Sequence, residues 1–437
     1  MARSSCPVAS FLAHSGPLRH PPPAGPALTP ACRGCRNRSG AGRRRGGRRR
    51  HAPSCRSHAL TQVFIPAVFL RGGSSKGVFF HAKDLPAERA AIDPILLGVL
   101  GSPDPYGRQL DGMGGGISSL SKAVIIGPPT HPEADVDYTF AQVSVDRPVV
   151  DWKGNCGNLS AAVGPFAVDE GLVRVQDGEA LVRIHQVNTR KIIHARFPVR
   201  HGRAEVRGDF AIAGVAGTGA RIRLDFLSPG GSQTAGLLPT GRPVDTLDIP
   251  GFGPLRASLV DAANPAVFVD ARDLGLTGAE SPDAIEARAD LMALLDRIRR
   301  IGGVAMGLAA TEEAVSLANP RVALVAGPTA ARILDGTVLD PAGHDVTIRM
   351  LSMERPHRAV PMTGAMGLAV ACRIEGSIPQ ALAARGERPE EIRVAHPSGT
   401  LAVGAEVHRD ATGWQADSAV VFRTARRLMQ GQVAIPC

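Results

Sequence analysis

The chain has few aromatic residues, 4% of 437, including two Trp and two Tyr. Base-stacking platforms need aromatic faces, so single-stranded nucleic acid is a poor partner for it. Cysteine is scarce too. Four of the seven (Cys6, Cys32, Cys35 and Cys55) precede residue 59, leaving Cys156, Cys372 and Cys437 for the body. Three scattered cysteines build no disulfide framework, which points to a reducing cytoplasm. Cys32-x-x-Cys35 has no second ligand pair at zinc-finger spacing, and the body holds no HExxH or clustered histidine motif. No metal is therefore expected. No apolar run reaches membrane-spanning length, so no membrane association is expected.

Acidic residues and lysine are absent from residues 1–58, which hold twelve Arg. The formal charge of +10 belongs to that leader, because 38 basic residues face 40 acidic ones in the rest of the chain. Without a basic body, nucleic acid is dropped as the main partner. The leader is rich in Pro, Gly and Ser, a composition that cannot bury enough apolar surface to order itself. Disorder, or a true translation start near residues 61–68, is favoured over a transit peptide, because the proline runs break any amphipathic targeting helix.

The stretch that organises the body is residues 149–172, VVDWKGNCGNLSAAVGPFAVDEGL. A β-branched run ends at Asp151-Trp152, a Gly-Asn-Cys-Gly-Asn turn follows, and a small-residue apolar segment begins at Leu159. Strand, turn and helix in that order put Cys156 at a helix N-terminus. There the free N–H groups and the helix dipole favour anions and lower a thiol's pKa. The flanking Gly154 and Gly157 offer close backbone approach, and Asn155 and Asn158 offer amide donors.

The layout then repeats. Residues 64–70, 123–126 and 136–145 read as strands, with a helix over 86–100 disturbed by Pro94. Residues 180–186, 192–199 and 220–226 continue the strands. Later, 257–260 and 267–269 flank a polar turn, 283–298 is an amphipathic helix, and 321–326 and 346–351 are strands. The turn PMTGAMG (361–367) then feeds a second small-residue helix, with Thr363 or Met366 where the thiol would stand. A strand pair, 401–407 and 419–422, closes the chain. Two similar halves, each aiming a helix N-terminus at the middle, predict one anion-binding cleft between them.

Lys122 follows a Gly/Ser-rich lead-in and opens the apolar strand, a setting that favours a cleft-facing, desolvated amine with a lowered pKa. Lys122 and Cys156 could exchange protons with a small substrate, the logic of a cofactor-independent isomerase or epimerase. A nucleophilic Cys156 would need a histidine base, and none of His185, His194, His357 and His396 lies in a partner motif, so hydrolysis is the weaker reading. The candidate carboxylate-binding residues are Arg71, Lys76, Asn155, Gly157, Asn158, Thr363, Gly364, His396, Ser398 and Gly399. Ser74, Ser75, Met113, Gly114, Ser121 and Asn264 complete the candidate site. GMGGG (112–116) lacks the G-x-G-x-x-G spacing between strand and helix, so no nucleotide is expected.

LRGGSSKGVFF (70–80), GSPDPYGRQLDGMGGGISSLSKAVII (101–126) and the long motif around Cys156 (136–173) resemble the 2-methylaconitate isomerase family, PrpF-like proteins. DAANPAVFV (261–269) and HRAVPMTGAMGLAVA (357–371) look like its second-half motifs. The resemblance runs over residues 62–431. It implies an α+β, diaminopimelate-epimerase-like fold of two pseudo-symmetric domains, 59–255 and 256–437, each a sheet wrapped around a central helix. It also implies catalysis by Lys122 and Cys156, without metal or organic cofactor, on a small unsaturated di- or tricarboxylate. A homodimer is left open. So is the substrate: 2-methylaconitate first, with methylitaconate and 4-oxalomesaconate as alternatives.

Overall fold

Strand Gln62–Gly72 turns sharply at Gly73 into Ser75–His81, and that hairpin begins a series of pairings that the chain later repeats. The computed structural model describes residues 62–317, 319–352, 355–384 and 390–436. The leader and Cys437 lie outside them.

In the first half, Ser75–His81 runs parallel to Lys122–Gly127, which pairs antiparallel with Val136–Val143. That strand lies parallel to Gly178–Gln186, which is antiparallel to Lys191–Arg200, which is antiparallel to Ile222–Leu227. In the second half, Gly253–Ala262 forms a hairpin with Asn264–Asp270, which runs parallel to Arg321–Ala326. Arg321–Ala326 is antiparallel to Val346–Ser352, and Val346–Ser352 is parallel to Ile392–His396. Ile392–His396, Gly399–Asp410 and Gly413–Arg423 then follow antiparallel. The order of parallel and antiparallel pairings is the same in both halves. They join where Ile222–Leu227 pairs with Gly413–Arg423, so one sheet runs through both.

Each half winds its strands around one helix: Gly157–Asp169 in the first and Met362–Ala371 in the second. Both helices are apolar on every side and rich in Gly and Ala, which suits a helix enclosed by sheet rather than laid on a surface. Phe166, Leu159 and Val163 are fully buried on the first, each stabilising the fold by about 1.5–3 kcal/mol. Gly164 is required there, because a Cβ would lie 2.6 Å from the Phe197 ring. One hydrophobic core contains both helices, while Arg89–Leu100 and Ala289–Ala305 each cover a smaller core on the outer face of their half.

Several details depart from the sequence reading. The first helix starts at Arg89 and carries Pro94 inside it. The helix expected over 283–298 is two, Pro282–Glu286 and Ala289–Ala305, because Ser281 caps the first and the chain restarts at Arg288 with extended backbone. The strand pair 401–407 and 419–422 does not end the chain. A further strand, Ala425–Pro436, pairs with Gln62–Gly72, as Asp245–Ile249 pairs with Gly253–Ala262 in the second half. No helix among the described residues is long and apolar enough to cross a membrane.

Candidate active site

Cys156 is the N-cap residue of Gly157–Asp169, in extended conformation, and is buried. Its carbonyl accepts from the Ser160 amide (2.9 Å), the Ser160 hydroxyl (3.1 Å) and the Tyr138 hydroxyl (3.4 Å), so the backbone at the thiol is held from several directions. Burial, and then the proximity of Cys156, push the Tyr138 phenol pKa up, so that hydroxyl stays a neutral donor.

Lys122 is the first residue of its strand and is 8% exposed, as is Cys156. Val124 and Ile126 sit in the core that holds the Cys156 helix, whereas Ala123 and Ile125 face the outer core. Alternation therefore turns Lys122 toward the same interior as Cys156. Its amine donates to Gln142 Oε1 at 2.7 Å and lies 5.0 Å from the Phe140 ring centroid. Gln142 stands directly opposite on the neighbouring strand, and its own amide donates to the Ser118 and Ser121 carbonyls, which fixes the orientation it presents to the lysine.

The two helices meet at their N-termini. A Cβ on Gly157, the first residue of one helix, would lie 2.3 Å from Sδ of Met362, the first residue of the other. Gly154 has open space around it, so only Gly157 serves close approach. The two hairpin tips also fit against the helices. A Cβ on Gly72 would meet the Asn158 carbonyl at 2.6 Å, and Gly73 (φ 53°) lies against the Asn158 side chain. In the second half the tip residue is Ala263 (φ 59°), and Gly367 on the helix makes room for the Ala262 carbonyl.

Asn158 links the parts of the first half: its amide donates to Ser74 Oγ at 3.2 Å, and its Oδ1 accepts from Arg423 Nε at 3.1 Å. Burial pulls the Arg423 pKa down to about 10, with the nearby Cys156 acting in the opposite sense. Asn155 accepts weakly from Ser160. On the second side, Thr363 Oγ1 accepts from Arg321 at 2.7 Å, and Gly364 packs against Met350. His396 is buried with a pKa pulled down to about 4 by burial, then by Arg349 and Arg423, and its Nδ1 accepts from the Ser398 amide. That leaves its proton on Nε2. Ser398 Oγ donates to the Arg358 carbonyl, and Gly399 (φ 133°) completes this turn.

Other predicted residues point elsewhere. Arg71 and Lys76 alternate onto the outer face of their hairpin, where Lys76 sits over Phe69. With Ser74, Ser75, Arg426 and residues 214–218 they line a cavity of about 400 Å³. Arg71 donates to the Gly73 and Thr424 carbonyls, and burial, then Arg426, lower its pKa. The Met113 side chain packs on the outer core with Trp152. Gly114 and Ser121 belong to a loop organised by the buried Gln109, whose amide donates to Ser102 and Ser121. Asn264 is hydrogen-bonded to Asn319.

Gln142, Arg321 and Arg423 were not singled out in the sequence. Gln142 could have been found from the strand register opposite Lys122, and Arg321 from aligning RVALVA with KAVIIG in the repeat. No sequence signal marks Arg423. Cys372, the other thiol among the described residues, caps the far end of its helix with its pKa pushed up to about 12 by burial, and its Sγ lies 3.8 Å from the Pro379 carbonyl. Among the described residues no group of three or more His, Cys, Asp and Glu is placed to hold a metal ion.

The class defined by this fold and site is an α+β protein built as an internal repeat, with its candidate centre where two helix N-termini meet. The chain belongs to the PrpF protein family, whose model matches residues 62–436. It is 43% identical to the 2-methyl-aconitate isomerase of Cupriavidus necator, over 86% of this chain and 98% of that one. It is 41% identical to the 3-methylitaconate isomerase of Eubacterium barkeri, over the same shares. The crystal structure of a methylitaconate-delta-isomerase superposes with a TM-score of 0.80 at 40% identity, covering 86% of this chain and 97% of that one.

Proposed function

We propose that this protein is an isomerase that shifts a C=C bond, or its geometry, in a small unsaturated di- or tricarboxylate, with 2-methylaconitate as the first candidate. The observation that carries the reading is the buried Lys122 amine turned into the same interior as Cys156, beside two converging helix N-termini. The 43% identity to a 2-methyl-aconitate isomerase supports the choice of substrate. The 41% identity to a 3-methylitaconate isomerase supports methylitaconate as the second reading.

One member of the pair removes a proton γ to a carboxylate across the double bond. The C–H electrons become the new C=C bond, and the old π pair moves onto the carboxylate as a dienolate. Helix N–H groups and the cations around them stabilise that charge as it develops. The other member delivers a proton to a different carbon, or to the same carbon after rotation, and the isomer forms with no net change in atoms or electrons. Gln142 positions the amine. Cys156 and Cys372 are both free thiols, in keeping with a reducing cytoplasm.

Incubation in D2O with 2-methylaconitate, methylitaconate and oxalomesaconate, followed by proton NMR, tests this. Deuterium incorporation with isomer formation is expected from one of the three. Lys122→Ala and Cys156→Ser should each slow it by about 10²–10⁴-fold. Exchange that survives both substitutions unchanged would remove the pair from the mechanism, and binding without exchange would indicate a catalytically dead scaffold.

A further inference from the structure

The repeat gives the core strands of the first half counterparts in the second, and by strand position the counterpart of Lys122 is Arg321. Each opens the third strand of its half, each strand runs parallel to the second strand of the preceding hairpin, and each pairs antiparallel with the fourth. Facing is preserved as well. Ala323 and Val325 lie in the core that surrounds the two helices, and Val322 and Leu324 lie in the outer core, so Arg321 alternates inward as Lys122 does.

The two residues meet different chemistry. Lys122 has an amide acceptor opposite it, and an amine can gain and lose a proton. Arg321 carries a guanidinium that cannot serve as a base at ordinary pH. Its NH1 donates to Thr363 Oγ1 in the first turn of Met362–Ala371 and lies 3.7 Å from where a Cβ on Gly364 would be. Its Nε is buried without a hydrogen-bond partner. His357, held by its amide to the Met350 carbonyl, also has a buried Nε2 without a partner. Met350 also packs against Gly364, and Arg321 is near enough to His357 to act on its charge, so His357 belongs to the same side of the second half. Burial, then Arg321, keep the His357 pKa below its ordinary value, so this imidazole is neutral at pH 7. A guanidinium with an unmet donor meets a helix N-terminus here, a histidine with an unmet ring nitrogen stands in the same neighbourhood, and among the described residues no carboxylate forms an ion pair with either side chain. Buried donors left in this way normally mark a missing acceptor.

We propose that Arg321, with Thr363 and His357, is the receptor for one carboxylate of the substrate, so that the first half of the repeat moves the proton and the second half holds the anion. The identity of the anion rests on the isomerase reading; the receptor itself does not. The carboxylate accepts from the guanidinium and, when the His357 proton is on Nε2, from the imidazole. Arg321 is a binding residue, distinct from the proton-transfer pair.

Calorimetry with propane-1,2,3-tricarboxylate, which has no double bond to shift, tests the receptor without turnover. The wild-type protein is expected to bind it, Arg321→Gln to bind at least about tenfold more weakly, and Arg321→Lys to recover part of the loss, as loss of a charge-assisted hydrogen bond predicts. Thr363→Val, which leaves the guanidinium in place but removes its hydroxyl partner, should weaken binding a few-fold and serves if Arg321→Gln does not fold. With a turned-over substrate, Arg321→Gln should raise KM far more than it lowers kcat, whereas Lys122→Ala should lower kcat. Equal affinity of wild type and folded Arg321→Gln, or no binding of the tricarboxylate by wild type, would overturn the receptor. A normal calorimetric result with no isomerisation of any substrate would leave the receptor standing and reject the isomerase reading instead.

Discussion

His396 illustrates how far burial alone can move a side chain's chemistry. It is 4% exposed, and Arg349 and Arg423 add positive charge to a site already closed to water. Its pKa falls from the ordinary 6.5 to about 4. Between those two values the unfolded chain takes up a proton that the folded one refuses. Stability from this residue is therefore complete above pH 6.5 and falls as the pH drops toward 4, by about 3 kcal/mol in all. Urea melts at pH 7 and pH 4.5 should show the loss, and His396→Gln should flatten that part of the profile. An unchanged slope in the variant would mean that other groups govern acid stability. The same burial makes this histidine a poor partner for Cys156 in hydrolysis. It is a neutral Nε2–H donor beside Arg423, which in turn holds Asn158 in the first turn of the Cys156 helix.

At the scale of elements, the site depends on backbone contacts between hairpin tips and helix starts. Gly72 tests this directly, because the atoms its Cβ would meet are main chain: the Asn158 carbonyl at 2.6 Å and Leu159 Cα at 3.0 Å. Gly72→Ala should cost about 1–3 kcal/mol of stability and lower kcat further than that loss explains, since relief requires the hairpin to lift off the turn after Cys156. Gly154→Ala, where nothing lies within 4 Å, is the control and should leave the melting temperature within a degree or two. Equal behaviour of the two variants would sink the close-approach argument. The elements themselves were legible where a period was clean. VDYTFAQV alternates and is a strand, and GNCGN before a small-residue run is a helix start. ARRLMQGQVAIP was not legible, because it buries little beyond Ala425, Val433 and Ile435 and carries charge and glycine between them. The position of Arg71 and Lys76 on the outer face followed from hairpin register, which the residue types alone do not set.

At the scale of the whole molecule, the repeat is completed by strands from opposite ends of the chain. In the second half the outer strand beside the hairpin is Asp245–Ile249, which immediately precedes it. In the first half that place is taken by Ala425–Pro436, paired from Gln62↔Pro436 to Gly72↔Ala425. Val433 and Ile435 close the outer core under Arg89–Leu100, and Gly98 leaves room for Ile435. Arg427 also reaches Glu170, just past the end of the Cys156 helix, at 2.7 Å. Removing this strand strips the hairpin of its ladder hydrogen bonds and exposes Val433 and Ile435's partners, a loss comparable to the roughly 5–15 kcal/mol that holds a typical domain together. It also frees the edge of Gln62–Gly72 for pairing with other chains. A chain stopped after Thr424, which keeps Arg423, should therefore aggregate or lose its cooperative melt, although every proposed catalytic residue is retained. A synthetic peptide of residues 425–436 supplied during refolding should restore solubility and activity, as the missing strand is one continuous antiparallel partner. A truncated chain that melts like the full one without the peptide would show that the second half and the Cys156 helix suffice to hold the hairpin in place.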